Sequence, residues 1–112
     1  MILGPAEFGR LIRECWSIRT ASTFNPANPA CGQCSVTALV AQDHLGGTIA
    51  KTRVGGAWHF YNLIGGERFD FTASQFDAPV IYDDTSSGRE DALTDTTLAQ
   101  YEALVEAFRN GL

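Results

Sequence analysis

Two Gly-Gly pairs, Gly55-Gly56 and Gly65-Gly66, bracket the apolar run from Ala57 to Ile64. A two-residue loop with positive φ at both positions is the tightest reversal a twisted pair of strands tolerates, and glycine adopts it without steric cost. The spacing predicts strands over Thr48–Val54, Ala57–Ile64 and Glu67–Phe71, joined as an antiparallel meander. It also predicts register. Across the Gly65-Gly66 loop Ile64 faces Glu67, Asn62 faces Phe69, Tyr61 faces Asp70 and His59 faces Thr72. Side chains alternate along a strand, so His59, Tyr61 and Leu63 share a sheet face with Arg68, Asp70 and Thr72. Asp70 is diagonal to His59 on that face and Asn62 points to the other. A bulge between 59 and 72 would exchange the two.

Upstream, Phe8, Leu11, Ile12, Cys15 and Trp16 recur at helical spacing behind Pro5, which suits a first turn. Cys15 reads as a core residue. The stretch from Ser17 to Pro29 is a loop of the length that often carries function. A second helix is predicted from Cys34 to the Gly46-Gly47 stop. Cys34, Ala38, Ala41 and Leu45 share one face small enough to approach a sheet, and Val36, Leu39 and Val40 predict burial on more than one side.

After the strands, Thr72 or Ser74 starts a short helical turn through Phe76. Residues 77–91 are polar and acidic, with Pro79 to Tyr82 as an edge strand or a covering loop. Leu98, Tyr101, Leu104, Val105 and Phe108 mark a last amphipathic helix, capped by Thr94 or Asp95 and stopped at Asn110-Gly111. With no repeat or linker, residues 1–112 read as one α+β domain. Its central helix packs on a small antiparallel sheet of three or more strands, flanked by N- and C-terminal helices.

Eight Lys and Arg stand against 13 Asp and Glu, a net charge of -5. That balance argues against a nucleic-acid partner or an anionic membrane surface. No run approaches the roughly 20 apolar residues of a membrane helix. Met1 to Glu7 lacks the basic and apolar regions of a signal peptide, so a cytoplasmic location is expected. Disulfides are rare there, and Cys15, Cys31 and Cys34 then serve packing, metal, redox or catalysis.

The segment Asn28-Pro29-Ala30-Cys31-Gly32-Gln33-Cys34-Ser35 carries the most chemistry. A cysteine opening a helix meets unpaired backbone N–H groups and the positive end of the macrodipole, both of which favour thiolate. With a His and an Asp on one face of the sheet behind that helix, the set follows Cys–His–Asp logic. The base activates the thiol and the acid orients the base. Two rivals use the same cysteines. Cys31-Gly32-Gln33-Cys34 is a C-x-x-C, but a redox motif of that kind follows a strand, and the prolines of Asn25-Pro26-Ala27-Asn28-Pro29 argue against one. Zinc would need Cys31 and Cys34 plus His59 or His44. No second C-x-x-C exists, and His44 lies roughly 15 Å further along the helix. Neither a metal nor an organic cofactor is expected.

The same segment is similar to the nucleophile motif of papain-like cysteine peptidases, C-G-[SA]-C-[WY]. Cys31, Gly32 and Cys34 match, whereas Gln33 and Ser35 do not. Asn28 stands six before Cys34, where that family has an oxyanion-hole Gln. The order of helix and strands, with His59 and then Asp70-Phe71-Thr72, resembles transglutaminase-like proteins. A resemblance covering most of the chain joins Gly32 to Asp43, Gly46-Gly47, His59-Phe60-Tyr61-Asn62 and Asp70-Phe71-Thr72: it is to the YunG-like family of small bacterial proteins. These resemblances imply a minimal papain-like or transglutaminase-like core.

The expectation is therefore a cysteine-dependent hydrolase or acyl transferase acting on an amide or thioester of a small molecule or peptide. Cys34 is nucleophile, His59 base and acid, and Asp70 orienter, with the Cys34 N–H and Asn28 or Gln33 as oxyanion donors. The alternative is a non-catalytic binding or structural module on the same fold. A chain this small has little room for a deep cleft, and a partner subunit would be one way to complete it.

Overall fold

A computed structural model describes residues 3–112. Met1 and Ile2, where the reading of the opening segment begins, lie outside the described residues. The order is α1 (Pro5–Ile12), a 3-10 turn (Arg13–Cys15), α2 (Cys34–Leu45), β1 (Thr48–Val54), β2 (Ala57–Ile64), β3 (Glu67–Phe69), a 3-10 turn (Ala73–Gln75), β4 (Thr85–Ser87), α3 (Arg89–Leu93) and α4 (Leu98–Gly111). The fold is α+β, a four-stranded antiparallel sheet of order β3-β2-β1-β4 with α2 packed on it. Among the described residues no helix is long and apolar enough to cross a membrane.

Both Gly-Gly loops have positive φ at each position. They set the expected register across Gly65-Gly66, with Ile64 opposite Glu67 and Asn62 opposite Phe69, and across Gly55-Gly56 they place Thr52 opposite His59. The third strand stops at Phe69 rather than Phe71. Asp70 Oδ1 accepts the Thr72 N–H at 3.2 Å, a side-chain turn that draws the chain out of the ladder.

α2 begins and ends where predicted, and Cys34 to Ala41 are all buried. It separates two apolar clusters. Cys34, Ala38 and Leu39 meet Ile49 and Phe60 of the sheet and Ala92 of α3. Val36, Val40 and Ala41 meet Phe8, Ile12 and Trp16 from the N-terminal segment and Leu104 and Phe108 of α4. The expected sheet-facing stripe therefore divides: Ala41 and Leu45 pack toward the flanking helices. Cys15 is only half-buried, because the first helix tightens to a 3-10 turn before reaching it.

The C-terminal third holds two elements that the pattern missed, β4 and α3. Pro79 to Tyr82 is a covering segment, not a strand. The last helix is capped by Thr97, not by Thr94 or Asp95. Its hydroxyl accepts the Gln100 N–H while Gln100 returns a bond to the Thr97 N–H, a reciprocal capping box. That helix runs through Gly111 rather than stopping before it.

Gly46 and Gly47 join α2 to β1, both with φ +74°. A Cβ on Gly47 would run into the Leu63 carbonyl oxygen, whereas one on Gly46 meets nothing. Gly46→Ala should cost about 1 kcal/mol through backbone strain alone. Gly47→Ala should cost about 2–3 kcal/mol, because β2 must also move. Urea unfolding of the two variants measures the difference; equal losses would place the strain in φ and not in the approach of β2.

Candidate functional site

His59 lies mid-way along β2, an inner strand. Its neighbours Phe60 and Asn62 point at α2. Phe60 packs with Cys34, and the Asn62 amide donates to the Ala38 carbonyl at 3.0 Å. Alternation then sends His59 and Tyr61 out of the opposite face. The face shared by His59 and Asp70 is thus the one turned away from α2, which corrects the picture of both standing directly behind the central helix.

That outer face is roofed by the segment 76–84. Phe76 meets the His59 ring edge-on at 4.8 Å and Tyr82 meets Tyr61 edge-on at 4.9 Å. Thr52 Oγ1 donates to the Ile81 carbonyl and accepts the Asp83 N–H. Tyr61 donates to Asp84 at 2.9 Å, and Arg68 grips the same carboxylate through two N–H groups at 2.9 and 2.6 Å. These bonds hold Asp84 at φ 52°, a conformation costly outside glycine.

Asp70 is the hub beneath this roof. Its Oδ2 accepts from His59 Nε2 and from the Tyr82 hydroxyl, each at 2.7 Å. Its Oδ1 accepts from the Thr72 N–H at 3.2 Å and the Thr72 hydroxyl at 3.4 Å. The His59 and Asp70 side chains are 2% and 5% exposed, so water competes little for these bonds. A carboxylate can only accept, so Nε2 carries the ring proton in the neutral imidazole and Nδ1 keeps its lone pair. That Nδ1 is buried and has no hydrogen-bond partner.

Cys34 is the first residue of α2 and is 8% exposed. In β2, residues 57, 59, 61 and 63 exchange hydrogen bonds with β1, so the Phe60 N–H points to the β3 side. β3 has ended there, and the Cys34 thiol, packed against Phe60, feels that N–H instead. The thiol therefore sits at the edge of β2, one residue from His59.

Burial pushes the Cys34 thiol up to about 11. The Phe60 and Ser35 N–H groups oppose the rise, while the Asp95 and Asp70 charges reinforce it. The expectation that the helix N-terminus yields a thiolate is corrected: loss of solvation outweighs the nearby N–H groups. Asp70 thus touches His59 and is felt at Cys34, but no hydrogen bond joins thiol and imidazole.

Gln33 and Asn28 separate clearly. Gln33 is fully buried, its Oε1 accepts from the Thr20 hydroxyl at 2.8 Å, and its Nε2 has no partner. Asn28 spends its amide on the Gln75 carbonyl, tying the long loop to the turn after Asp70. Asn62 is committed to α2 and does not touch His59. Cys31 is a half-buried free thiol, and among the described residues no group of three or more His, Cys, Asp or Glu side chains gathers as for a metal ion.

Tyr82 and Thr72 escaped the sequence reading. The signal for Thr72 was present in Asp70-Phe71-Thr72, an acid with a hydroxyl two residues on, which favours a side-chain turn. Tyr82 had none, because its role depends on a covering loop folding back.

The family model for the YunG protein matches residues 4–112 of this chain. A relative from Bacillus subtilis (strain 168), described as "Uncharacterized protein YunG", is 52% identical over 98 residues, covering 88% of this chain and 85% of the relative. No solved structure matches. The chain belongs to the YunG protein family.

Proposed function

We propose that this YunG-family chain is a cysteine-dependent hydrolase or acyl transferase acting on an amide or thioester, resting closed with its thiol protonated. The observation that carries the reading is His59: Asp70 accepts from its Nε2 at 2.7 Å, and the buried Nδ1 has no hydrogen-bond partner, while Cys34 lies against the neighbouring residue Phe60. A proton acceptor fixed in this way has the form of a general base awaiting its donor.

In the proposed step the Cys34 S–H proton passes to His59 Nδ1 as the sulfur attacks the carbonyl carbon. The carbonyl π electrons move to oxygen, which accepts from the Cys34 backbone N–H, unpaired at the first turn of α2, and from Gln33 Nε2. Collapse of the tetrahedral species expels the amine or thiol, which takes the proton from Nδ1. A water or second amine then gives its proton to Nδ1, attacks the thioester and releases acid or new amide, and the proton returns to sulfur. Because the resting thiol is neutral, proton transfer and attack occur together, and the thiol and the ring must first move into contact.

The test is intact-mass detection of an acyl adduct with a panel of aryl thioesters. The wild type should gain one acyl group, mapped to Cys34, whereas His59→Ala should show none under the same conditions. Adducts spread equally over Cys15, Cys31 and Cys34, and unaffected by His59→Ala, would reject the proposal.

One observation favours the second reading, a non-catalytic module on the same fold: Cys34 is buried and unbonded to His59 at rest. On that reading Cys34 takes no acyl group from any donor, and iodoacetamide reaches it only as fast as the protein unfolds.

A further inference from the structure

Between α1 and the end of β3 lies an open cavity of about 470 Å3, within the range of small-molecule sites. Its apolar wall is aromatic. Phe69 and Phe71 lie nearly parallel, with centroids 6.1 Å apart and planes 10° apart. Gly9 faces them from α1, and a Cβ there would come within 3.1 Å of Phe71. The missing side chain lets the helix lie flush against the ring.

The rim is cationic. Arg10 and Arg13, three residues apart on one side of the first helix and its 3-10 extension, both line the cavity. Neither takes part in an ion pair among the described residues, as is also true of Arg19, Arg53 and Arg109, so both heads are free to meet a ligand. Asp70 is the one acidic residue that lines the space. Its carboxylate is turned inward to His59, Tyr82 and Thr72 and is 5% exposed, so it offers the cavity backbone rather than charge.

We infer that this cavity binds a small organic anion, a flat apolar body carrying a carboxylate or phosphate. The body lies against Phe69 and Phe71 while Arg10 and Arg13 take the head through charge-assisted, bidentate hydrogen bonds. Asp70 belongs both to the cavity wall and to the His59 contact, so occupancy is felt at His59. The inference does not depend on Cys34 being a nucleophile.

The experiment titrates the 15N-labelled full chain with phenyl phosphate, inorganic phosphate and benzamidine, a flat ring of the opposite charge. With phenyl phosphate, amide shifts should concentrate in residues 5–13 and 69–71, with a smaller shift of the His59 ring signals. Arg10→Gln and Arg13→Gln should each weaken binding about tenfold, as expected for loss of a charge-assisted pair, and leave the remaining spectrum unchanged. Both arginines are exposed, so the variants keep the fold. Inorganic phosphate should bind at least about tenfold more weakly, because it lacks the ring. Benzamidine binding as well as phenyl phosphate, shifts centred elsewhere, or unchanged affinity in the double variant would each overturn the inference. Failure of acyl-adduct formation at Cys34 would leave it standing, since the readout is binding alone.

Discussion

Asp70→Ala is expected to remove about 3–5 kcal/mol of unfolding free energy, the range seen when one partner of a buried polar pair is deleted. Four buried or half-buried donors, His59 Nε2, the Tyr82 hydroxyl and the Thr72 N–H and hydroxyl, would lose their acceptor at once. Asp70→Asn keeps the volume and one acceptor oxygen, so its cost should be smaller, about 1–3 kcal/mol. Its chemical effect should be larger. The amide can present a donor to Nε2, and the imidazole then moves its proton to Nδ1, where the base must be free. Acyl transfer to Cys34 should slow on the order of 10³–10⁴-fold, as for a triad with the wrong tautomer. Nitrogen NMR of the His59 ring separates the two effects: the Nε2–H form in the wild type, a shift toward Nδ1–H in Asp70→Asn. Asn62→Ala loses a bond to the Ala38 carbonyl and should cost stability, yet leave the tautomer intact. A tautomer that shifts in Asn62→Ala and not in Asp70→Asn would transfer the orienting role to the amide.

The contrast between Asp70 and Asn62 shows how far the chain's local chemistry reaches. Two Gly-Gly loops defined β1, β2 and their register because a two-residue turn leaves no freedom in pairing. Parity along the strands then put His59 and Asp70 on one face correctly. Parity could not say which face α2 covers, since that follows from Phe60 and Asn62 docking on the helix. The same divide separates the thiol's two influences. The helix terminus is visible in Gln33-Cys34-Ser35, but the burial that outweighs it comes from strands and from α3, far along the chain. β4 stayed hidden for a related reason. Thr85-Ser86-Ser87 is a polar edge strand with no apolar alternation, and only its pairing with Ile49 to Lys51 makes it a strand. Tyr82, 12 residues beyond Asp70 in the chain, reaches it only because Thr52, Tyr61 and Arg68 anchor the segment around it.

Stability should fall steeply above pH 9, and Cys34 should account for the first part of the fall. Its thiol is held up to about 11 in the fold, against an ordinary value of 9.0. Below pH 9 folded and unfolded chains both keep the proton, and the full stability is present. Between pH 9 and 11 the unfolded chain releases the proton while the folded chain retains it, so the unfolded state gains and stability declines. Two units correspond to on the order of 2–3 kcal/mol, about half of it lost by pH 10. Tyr61, raised to about 12 by burial and by its hydrogen bond to Asp84, and Tyr82, raised by burial and by its bond to Asp70, extend the decline in the same direction above pH 10. Cys15, raised by burial and by Glu14, adds with the same sign. Urea unfolding at pH 8, 9 and 10 in the presence of reductant measures the slope. Cys34→Ala should be less stable than the wild type at pH 8, because it leaves a small cavity, yet lose less between pH 8 and 10. A constant difference between the two proteins across that range would mean that the thiol titrates at its ordinary value in the fold. At that value the thiol is still almost wholly protonated near neutrality, so attack would still need His59 as proton acceptor, but thiolate would form about two pH units lower than in the buried, raised state.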